Sequence, residues 1–283
     1  MITLRYSAVD TFLRCRRAYY YQEVKNIEAK ELPQSLWVGK LCAELLSVLH
    51  SKKEEHPNHK VSRIIDNLMA DYQDSNPGEN RRLQSLCILS AMIDKYSQLE
   101  ACKVLKGLAE YKWEVPMTKT YTVAGTVDLF DKGGKRVYEF KYTTSPDNYN
   151  EYTMADQVAL YMWGTKSHKA TARLFSKPNI RATQLDPTRD FLKRCTAYYN
   201  KRGVSVYKDL TFYQSDFQDY QETLLTRMKI IAGEILSAGK DIAKYYQTTK
   251  VQCLSPFVCQ YLPICKAEGK ISKYAFVTRA SRG

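Results

Sequence analysis

The chain has 283 residues, and its 43 lysines and arginines against 30 acidic residues leave a formal net charge of +13. A composition of 44% hydrophobic and 26% charged residues, with 12 glycines and 9 prolines, excludes collagen-like and wholly disordered chains. The longest nearly apolar stretches, around 86–93 and 158–164, are far shorter than the roughly 18 apolar residues that a membrane-spanning helix needs. We therefore expect a soluble, folded protein with no membrane partner.

The N-terminus carries Arg5, Asp10 and Arg14 before any apolar run of the kind found in secretory signals. The sequence therefore predicts a reducing, cytoplasmic location, in which the 8 cysteines are buried thiols or metal ligands rather than disulfides. The positive charge and 22 tyrosines favour a polyanionic partner, because lysine and arginine neutralise phosphates and aromatic rings stack on bases. A basic enzyme without a nucleic-acid partner is the alternative.

Helical periodicity dominates the first third of the chain. Apolar residues on one face predict helices over 7–25, with Ser7 as the N-cap, and over 36–50. A third helix is predicted over 82–105. The intervening segment 50–80 is rich in charges and contains Asn-Pro-Gly, so a loop with a short helix is expected there.

The periodicity changes after Tyr111, where valine, tyrosine and threonine become frequent, as is typical of strands. The order of elements predicts an α/β fold with a mixed central sheet flanked by helices. The predicted elements are strands over 111–117, 121–130, 136–143 and 171–176, a helix over 150–163, a short strand region over 204–213, and a long helix over 217–246.

No internal repeat and no linker rich in serine, glycine or proline divides the sequence. We therefore predict a single domain over 1–283. A helical N-terminal part over 1–110 precedes a sheet core over 111–215, and a long helix with a cysteine-rich tail follows over 216–283.

A hairpin is predicted at Gly133-Gly134, because tight hairpin turns need positive φ at one or both central positions. Its register places Asp128 directly opposite Glu139, with Cβ atoms about 5 Å apart. Lys141 projects on the same face, two residues after Glu139. Two carboxylates and an ammonium group therefore meet, which suits a hard cation such as Mg²⁺ or Mn²⁺; an ordinary surface salt bridge is the alternative.

Three short motifs follow one another on predicted strand, strand and helix: Gly125-Thr126-Val127-Asp128, Glu139-Phe140-Lys141, and Gln157 four residues before Tyr161. This ordered set resembles the PD-(D/E)XK nuclease superfamily, in particular its RecB-like exonuclease branch. The resemblance implies a restriction-endonuclease-like core and the hydrolysis of phosphodiester bonds.

The resemblance also implies a role for each strand residue. Asp128 and Glu139 would bind Mg²⁺ or Mn²⁺, and the carbonyl of Phe140 would add a ligand. Lys141 would orient the attacking water or stabilise the charge that develops on the phosphorus centre.

Two helices are expected to complete the site. Gln157 and Tyr161 lie on one helical face and would support the site and contact DNA, although simple packing of an amphipathic helix is the alternative for this pair. An earlier family motif has Gly, His and Glu; Gly39 and Glu44 match it, but Ala43 stands at the histidine position. Because Glu44 lies beside the apolar stripe of its helix, we expect it to bind metal or to form a structural ion pair.

Four cysteines, Cys15, Cys253, Cys259 and Cys265, lie on either side of these motifs. Their order resembles the iron–sulfur subgroup of the same nucleases, which includes the CRISPR-associated nuclease and the bacterial recombination nuclease, although the usual Cys-x-x-Cys pair is absent. The resemblance implies a structural [4Fe-4S] cluster, for which four thiolates are the usual complement; zinc is the alternative. The remaining cysteines are predicted to be buried in or beside helices: Cys42, Cys87, Cys102 and Cys195.

The resulting prediction is a metal-dependent DNA exonuclease of a prokaryotic or phage-infected host cell. It would act in phage recombination, DNA repair or CRISPR adaptation, and any protein partner is expected to belong to the same process. A non-catalytic DNA-binding or scaffold protein of the same fold is the leading alternative, and a structure-specific or RNA-directed nuclease is the second. Phosphate contacts should be independent of DNA sequence and weakened by salt. The candidate contacts are Arg14, Arg16, Arg17, Arg189, Lys193, Arg194, Lys201 and Arg202.

Overall fold

The computed structural model describes most of the chain. No helix in the described part is long and apolar enough to cross a membrane. The described residues are 1–30, 32–52, 56–245, 253, 259–266 and 276–278.

The chain divides into two compact units that are interleaved in sequence. The first unit comprises Met1–Leu32, Glu114–Gly125 and Asp219–Gly283. The second comprises Pro33–Trp113 and Thr126–Gln218. Compact units need not fold independently, so a single domain stays a prediction.

The helices bear out most of the predicted positions. In chain order they are α1 (Tyr6–Arg14), α2 (Arg16–Tyr19), α3 (Gln34–His50), α4 (Pro57–Ala70), α5 (Arg81–Ser97), α6 (Glu100–Val104), α7 (Tyr152–Thr165), α8 (Thr188–Asn200), α9 (Gln218–Ala238) and α10 (Leu262–Lys266). A π-helical turn, Tyr20–Val24, follows α2.

Five strands lie close to their predicted bounds, and three short strands, at 2–4, 27–29 and 276–278, were not predicted. They are β1 (Ile2–Leu4), β2 (Ile27–Ala29), β3 (Leu108–Pro116), β4 (Tyr121–Asp131), β5 (Arg136–Thr143), β6 (Lys169–Ser176), β7 (Tyr207–Tyr213) and β8 (Phe276–Thr278).

The sheet is mixed, as predicted. In the second unit β4 and β5 are antiparallel, β5 and β6 are parallel, and β6 and β7 are antiparallel. The parallel pair needs a crossover connection, which α7 supplies. In the first unit β1 runs parallel to the start of β4, and β2 pairs with β8 in the antiparallel sense.

The main core of the second unit lies among helices α3, α4, α5 and α8 and one face of the sheet. Tyr138 and Phe140 of β5 and Phe175 of β6 are buried in it. The strand alternation therefore turns these rings toward the helices, on the face opposite Glu139 and Lys141. The four cysteines predicted to be buried also belong to this core: Cys42, Cys87, Cys102 and Cys195.

Several predicted helix boundaries were wrong. The first helix begins after Arg5 instead of being capped by Ser7, and it breaks at Cys15, whose backbone is extended. The predicted helix over 82–105 is interrupted at 98–99, between α5 and α6. The last long helix ends at Ala238 because Gly239 takes a φ of 58°, the left-handed conformation that commonly closes helices.

Two helices were underestimated. The segment predicted as a loop with a short helix contains the full 14-residue α4, whose Val61 and Ile65 are buried four residues apart. Helix α8 was missed, although Phe191, Cys195 and Tyr199 are its buried face at spacings of four. The adjacent charges of Lys193 and Arg194 between them obscured the pattern.

A buried polar network lies inside the core around His50. Its Nδ1 lies 2.9 Å from the carbonyl oxygen of Leu105, and its Nε2 lies 3.0 Å from the Tyr96 hydroxyl. Arg173 donates a hydrogen bond to that hydroxyl and pairs with both carboxylate oxygens of Asp209. The Tyr96 hydroxyl accepts from Arg173 and so donates to Nε2, which assigns the neutral tautomer with the proton on Nδ1. Burial lowers the pKa of His50 to about 4.

We expect the protein to lose stability as the pH falls from about 6.5 to 4, because His50 binds a proton in the unfolded chain and stays neutral in the folded chain over this range. The depressed pKa corresponds to about 3 kcal/mol across this window. Urea unfolding at several pH values will show a weaker acid dependence for His50→Gln. The exposed His168 provides the matched control, His168→Gln; an unchanged dependence in His50→Gln would contradict the assignment.

Candidate active site

The hairpin has the predicted register. Residues 129–131 of β4 pair with 136–138 of β5. The next step along this register brings Asp128 opposite Glu139, just beyond the last backbone pair. The sequence therefore placed the two carboxylates correctly with respect to each other.

The turn itself differs from the prediction. Residues 132–135 form a four-residue loop between the strands. Lys135 has a positive φ of 44°, whereas neither glycine of the loop does. A four-residue loop centred on Gly133-Gly134 gives the same register as a two-residue turn, so the pairing was unaffected. Gly134 is still constrained, because a Cβ there would lie 2.5 Å from Oδ2 of Asp131.

The Asp128 side chain takes the place of a backbone partner where the ladder ends. Its Oδ2 accepts a hydrogen bond from the Phe140 backbone N–H at 2.7 Å. Its own carbonyl accepts from the Ser47 hydroxyl of α3 at 3.0 Å, and its backbone N–H bonds to the Glu139 carboxylate. These bonds satisfy the backbone groups freed by the separating strands and fix both carboxylates.

Lys141 of β5 and two side chains of helix α7 complete the polar set. Lys141 Nζ lies 3.3 Å from Glu139 Oε2 and 3.4 Å from Gln157 Oε1. The amide nitrogen of Gln157 donates to the same Glu139 oxygen at 3.3 Å and to the Tyr161 hydroxyl at 3.0 Å. Tyr161 packs edge-on against Trp113, with the ring centroids 6.2 Å apart. Four of the five predicted catalytic residues thus form one hydrogen-bonded set, and Asp128 reaches it through Glu139.

The electrostatics of the site are unbalanced. Glu139 is 4% exposed, and burial together with the nearby Asp128 charge raises its pKa to about 8. Burial also raises the pKa of Asp128. Burial opposes the charge on Lys141, but Glu139 and Asp128 outweigh it and raise the pKa of the ammonium group. One lysine cannot neutralise two carboxylates, so the site carries an excess negative charge when both are ionised.

The donor set suits a divalent cation. Glu139 Oε1 is buried and has no hydrogen-bond partner among the described residues. Mg²⁺ is commonly bound by one or two carboxylates together with water and substrate phosphate oxygens, so this pair of acids is sufficient. In the described part of the chain no set of three or more His, Cys, Asp or Glu side chains is arranged to hold a metal ion. The metal-binding roles of Asp128, Glu139 and the Phe140 carbonyl therefore stay predictions.

Glu44 differs from its expected environment. It is exposed on α3, and it forms no ion pair with any residue that the structure describes. Because it is exposed, its charge does not require a partner. The alternative of a structural ion pair finds no partner among the described residues, and metal binding by Glu44 stays a prediction. The α3 residue that does contact the site is Ser47, which sequence reasoning missed because a lone serine carries no motif.

The four cysteines outside the core belong to the first unit. Burial, Cys15, Cys259 and Cys253 raise the pKa of Cys265 to about 11, against the lowering effect of Arg17. Burial, Cys15 and Cys253 likewise raise the pKa of Cys259, whose backbone N–H donates to the Cys253 carbonyl at 2.9 Å. The thiols therefore lie within electrostatic range of one another without forming a metal-ligand geometry.

The candidate phosphate contacts fall into both units, and several already have acidic partners. Arg14 pairs with Asp10, Arg16 with Glu234, Lys193 with Asp190 and Arg194 with Asp186. Arg17 lies near the Cys265 thiol. The others are exposed and have no ion pair within the described chain: Arg189, Lys201 and Arg202.

Comparison with known proteins identifies the family. Residues 3–266 match the family model of the PD-(D/E)XK nuclease superfamily, and the chain belongs to this superfamily. No curated protein matches the sequence significantly.

A solved structure shares the fold at low sequence identity. A protein from Eubacterium rectale, named as a candidate exonuclease, aligns with a TM-score of 0.56 and 10% identity over 96% of this chain and 89% of its own. A phage-related exonuclease from Haemophilus somnus aligns with a TM-score of 0.33 and 10% identity, over 69% and 94%. The predicted restriction-endonuclease-like α/β fold is confirmed.

We expect Glu139→Gln to raise the melting temperature of the metal-free protein at pH 8, because it removes a buried carboxylate whose ionisation is unfavourable. A carboxyl group whose pKa is raised by folding destabilises the folded state when it ionises. Wild-type stability should therefore decline as the pH rises from about 4.5 to 8. Thermal unfolding in EDTA measures both effects, which amount to a few kcal/mol. The exposed Glu100→Gln is the control; equal melting temperatures for wild type and Glu139→Gln would contradict this account.

Proposed function

We propose that this protein is a metal-dependent deoxyribonuclease that hydrolyses phosphodiester bonds at Asp128, Glu139 and Lys141. The observation that carries the proposal is the buried Oε1 of Glu139, which has no hydrogen-bond partner among the described residues, beside the half-buried carboxylate of Asp128. Excess negative charge in a dry site is costly, and a divalent cation relieves it. A bound Mg²⁺ or Mn²⁺ supplies positive charge that polarises the phosphate and makes water more acidic.

Lys141 acts as a cation in this proposal. Its raised pKa keeps it protonated at neutral pH, so it serves as a hydrogen-bond donor and not as a general base. Glu139 and Gln157 accept two of its three N–H groups, which leaves one for a phosphate oxygen that gains charge in the transition state. A preorganised donor of this kind contributes roughly 10²–10³ in rate.

Gln157 holds the lysine and glutamate in place. It accepts from Lys141, donates to Glu139 and is itself bonded to Tyr161. Such fixed side chains position the reacting groups without reorganisation at the moment of reaction. Gln157 and Tyr161 are therefore assigned as positioning residues for the catalytic lysine.

Exonuclease action on DNA ends is the finer part of the proposal. The superfamily membership and the exonuclease name of the Eubacterium rectale protein support it, and a role in recombination, repair or CRISPR adaptation is in keeping with it.

We expect Asp128→Asn and Lys141→Met to lower the cleavage of end-labelled DNA by at least about 10²-fold in Mn²⁺ or Mg²⁺. Asp128→Asn should also weaken Mn²⁺ binding, measured by electron paramagnetic resonance, whereas Lys141→Met should retain it. The exposed Asp94→Asn is the control. DNA binding without cleavage by the wild type in any divalent metal would favour the scaffold alternative, which the Ala43 substitution in the family motif supports.

We also propose that Cys15, Cys253, Cys259 and Cys265 hold a structural [4Fe-4S] cluster in the first unit. The support is their mutual electrostatic influence in one compact unit and the resemblance in their order along the chain. Four thiolates are the complement that such a cluster needs.

Protein purified without oxygen is expected to be brown and to contain about four iron atoms per chain. Cys259→Ser should lose iron and colour, whereas Cys87→Ser, a substitution in the core of the second unit, should retain both. Metal analysis and visible absorption measure the outcome. Colourless protein with stoichiometric zinc would contradict the cluster and indicate a zinc site instead.

A further inference from the structure

The second unit contains a cavity, here called the basic pocket, that is lined by none of the predicted catalytic side chains. Its volume is about 480 Å³, and the start of α5 and the segment after β6 form its walls. Arg81, Lys177 and Arg181 line it, and no acidic residue does so among the described lining residues. The pocket therefore concentrates positive charge.

These three cations are not neutralised elsewhere. None of them forms an ion pair with a carboxylate of the described chain. By contrast, Arg194 is paired with Asp186 in the neighbouring turn and helix. Three cations without carboxylate partners around one cavity repel one another, and an anion in the cavity would relieve the repulsion.

The walls of the pocket are held together by specific contacts. The side-chain amide of Gln84 donates to the Ile180 carbonyl at 3.1 Å. Gly78 lies so close to the opposite wall that a Cβ there would be 2.0 Å from the Thr183 carbonyl oxygen. Only glycine permits this approach, so the basic pocket is a preformed cavity whose shape depends on Gly78.

The pocket lies at the carboxyl ends of the two parallel strands. Thr144 follows β5 and Lys177 follows β6, and the Lys177 backbone N–H donates to the Thr143 carbonyl at 2.7 Å. In open α/β sheets ligands commonly bind beyond these strand ends. Lys141 lies near the end of β5, three residues before Thr144.

We infer that the basic pocket binds a backbone phosphate of the DNA strand, at a linkage other than the one that is cleaved. This inference rests on the proposed function and adds a second phosphate site to it. Arg81, Lys177 and Arg181 provide the charge for one phosphate, and the fixed walls determine its position. The pocket then sets the register of the strand with respect to Lys141.

The test measures DNA binding in EDTA, where cleavage cannot occur, by fluorescence anisotropy over about 50–300 mM NaCl. The pocket variant is Arg81→Gln with Lys177→Gln and Arg181→Gln. The control removes the same charge at exposed positions, with Arg63→Gln, Lys112→Gln and Lys229→Gln. The pocket variant should bind about tenfold more weakly than the control, and its salt slope should be smaller by about 1.

Two further arms locate the phosphate. A single neutral methylphosphonate, moved from linkage to linkage along the strand, should weaken binding to wild type at one position and leave the pocket variant unaffected there. Gly78→Ala, which changes the pocket shape without changing charge, should also weaken DNA binding, with unfolding curves as the check on folding.

Equal DNA affinity of the pocket and control variants would overturn the inference while leaving the nuclease assay untouched. Calorimetric binding of inorganic phosphate that is lost in the pocket variant, with DNA affinity unchanged, would also overturn it and assign a site for free phosphate. Failure of the proposed function is seen separately, as absence of cleavage in Mn²⁺ by protein that binds DNA normally.

Discussion

The candidate site depends on the separation of two antiparallel strands at Asp128. Where the β4–β5 ladder ends, the Asp128 carboxylate receives the Phe140 N–H, and Ser47 satisfies the freed carbonyl. Without these substitutes, the strands would leave buried polar groups unpaired, which costs about 1–3 kcal/mol for each group. The hydrogen bond that completes the end of the hairpin therefore also fixes the Asp128 carboxylate of the candidate site.

The charge of the site conflicts with its burial. Glu139 is buried and Asp128 and Lys141 are half-buried beside it, and the pKa values of all three groups are shifted. Such an arrangement is retained where function requires it, since perturbed titratable groups cluster at functional sites. The nearby His50 network shows the contrasting solution, in which every buried polar group is paired and the imidazole stays neutral.

The net charge of +13 is not spread as free positive charge. Arg14, Arg16, Lys193 and Arg194 are engaged by neighbouring acids, so a count of lysines and arginines overstates what a DNA strand would meet. The unpaired cations of the basic pocket are more informative, because their field is not cancelled locally.

The sequence by itself determined the positions of β3 to β7, the hairpin register, the common face of Glu139 and Lys141 and the spacing of Gln157 and Tyr161. These follow from local rules, namely the two-residue period of strands and the helical period of α7. It did not determine the exposure of Glu44, the contact of Ser47 with Asp128 or the pairing of surface arginines. Only the tertiary structure decided these, because each depends on residues distant in the chain whose approach is set by packing between helices and sheet and carries no local periodicity.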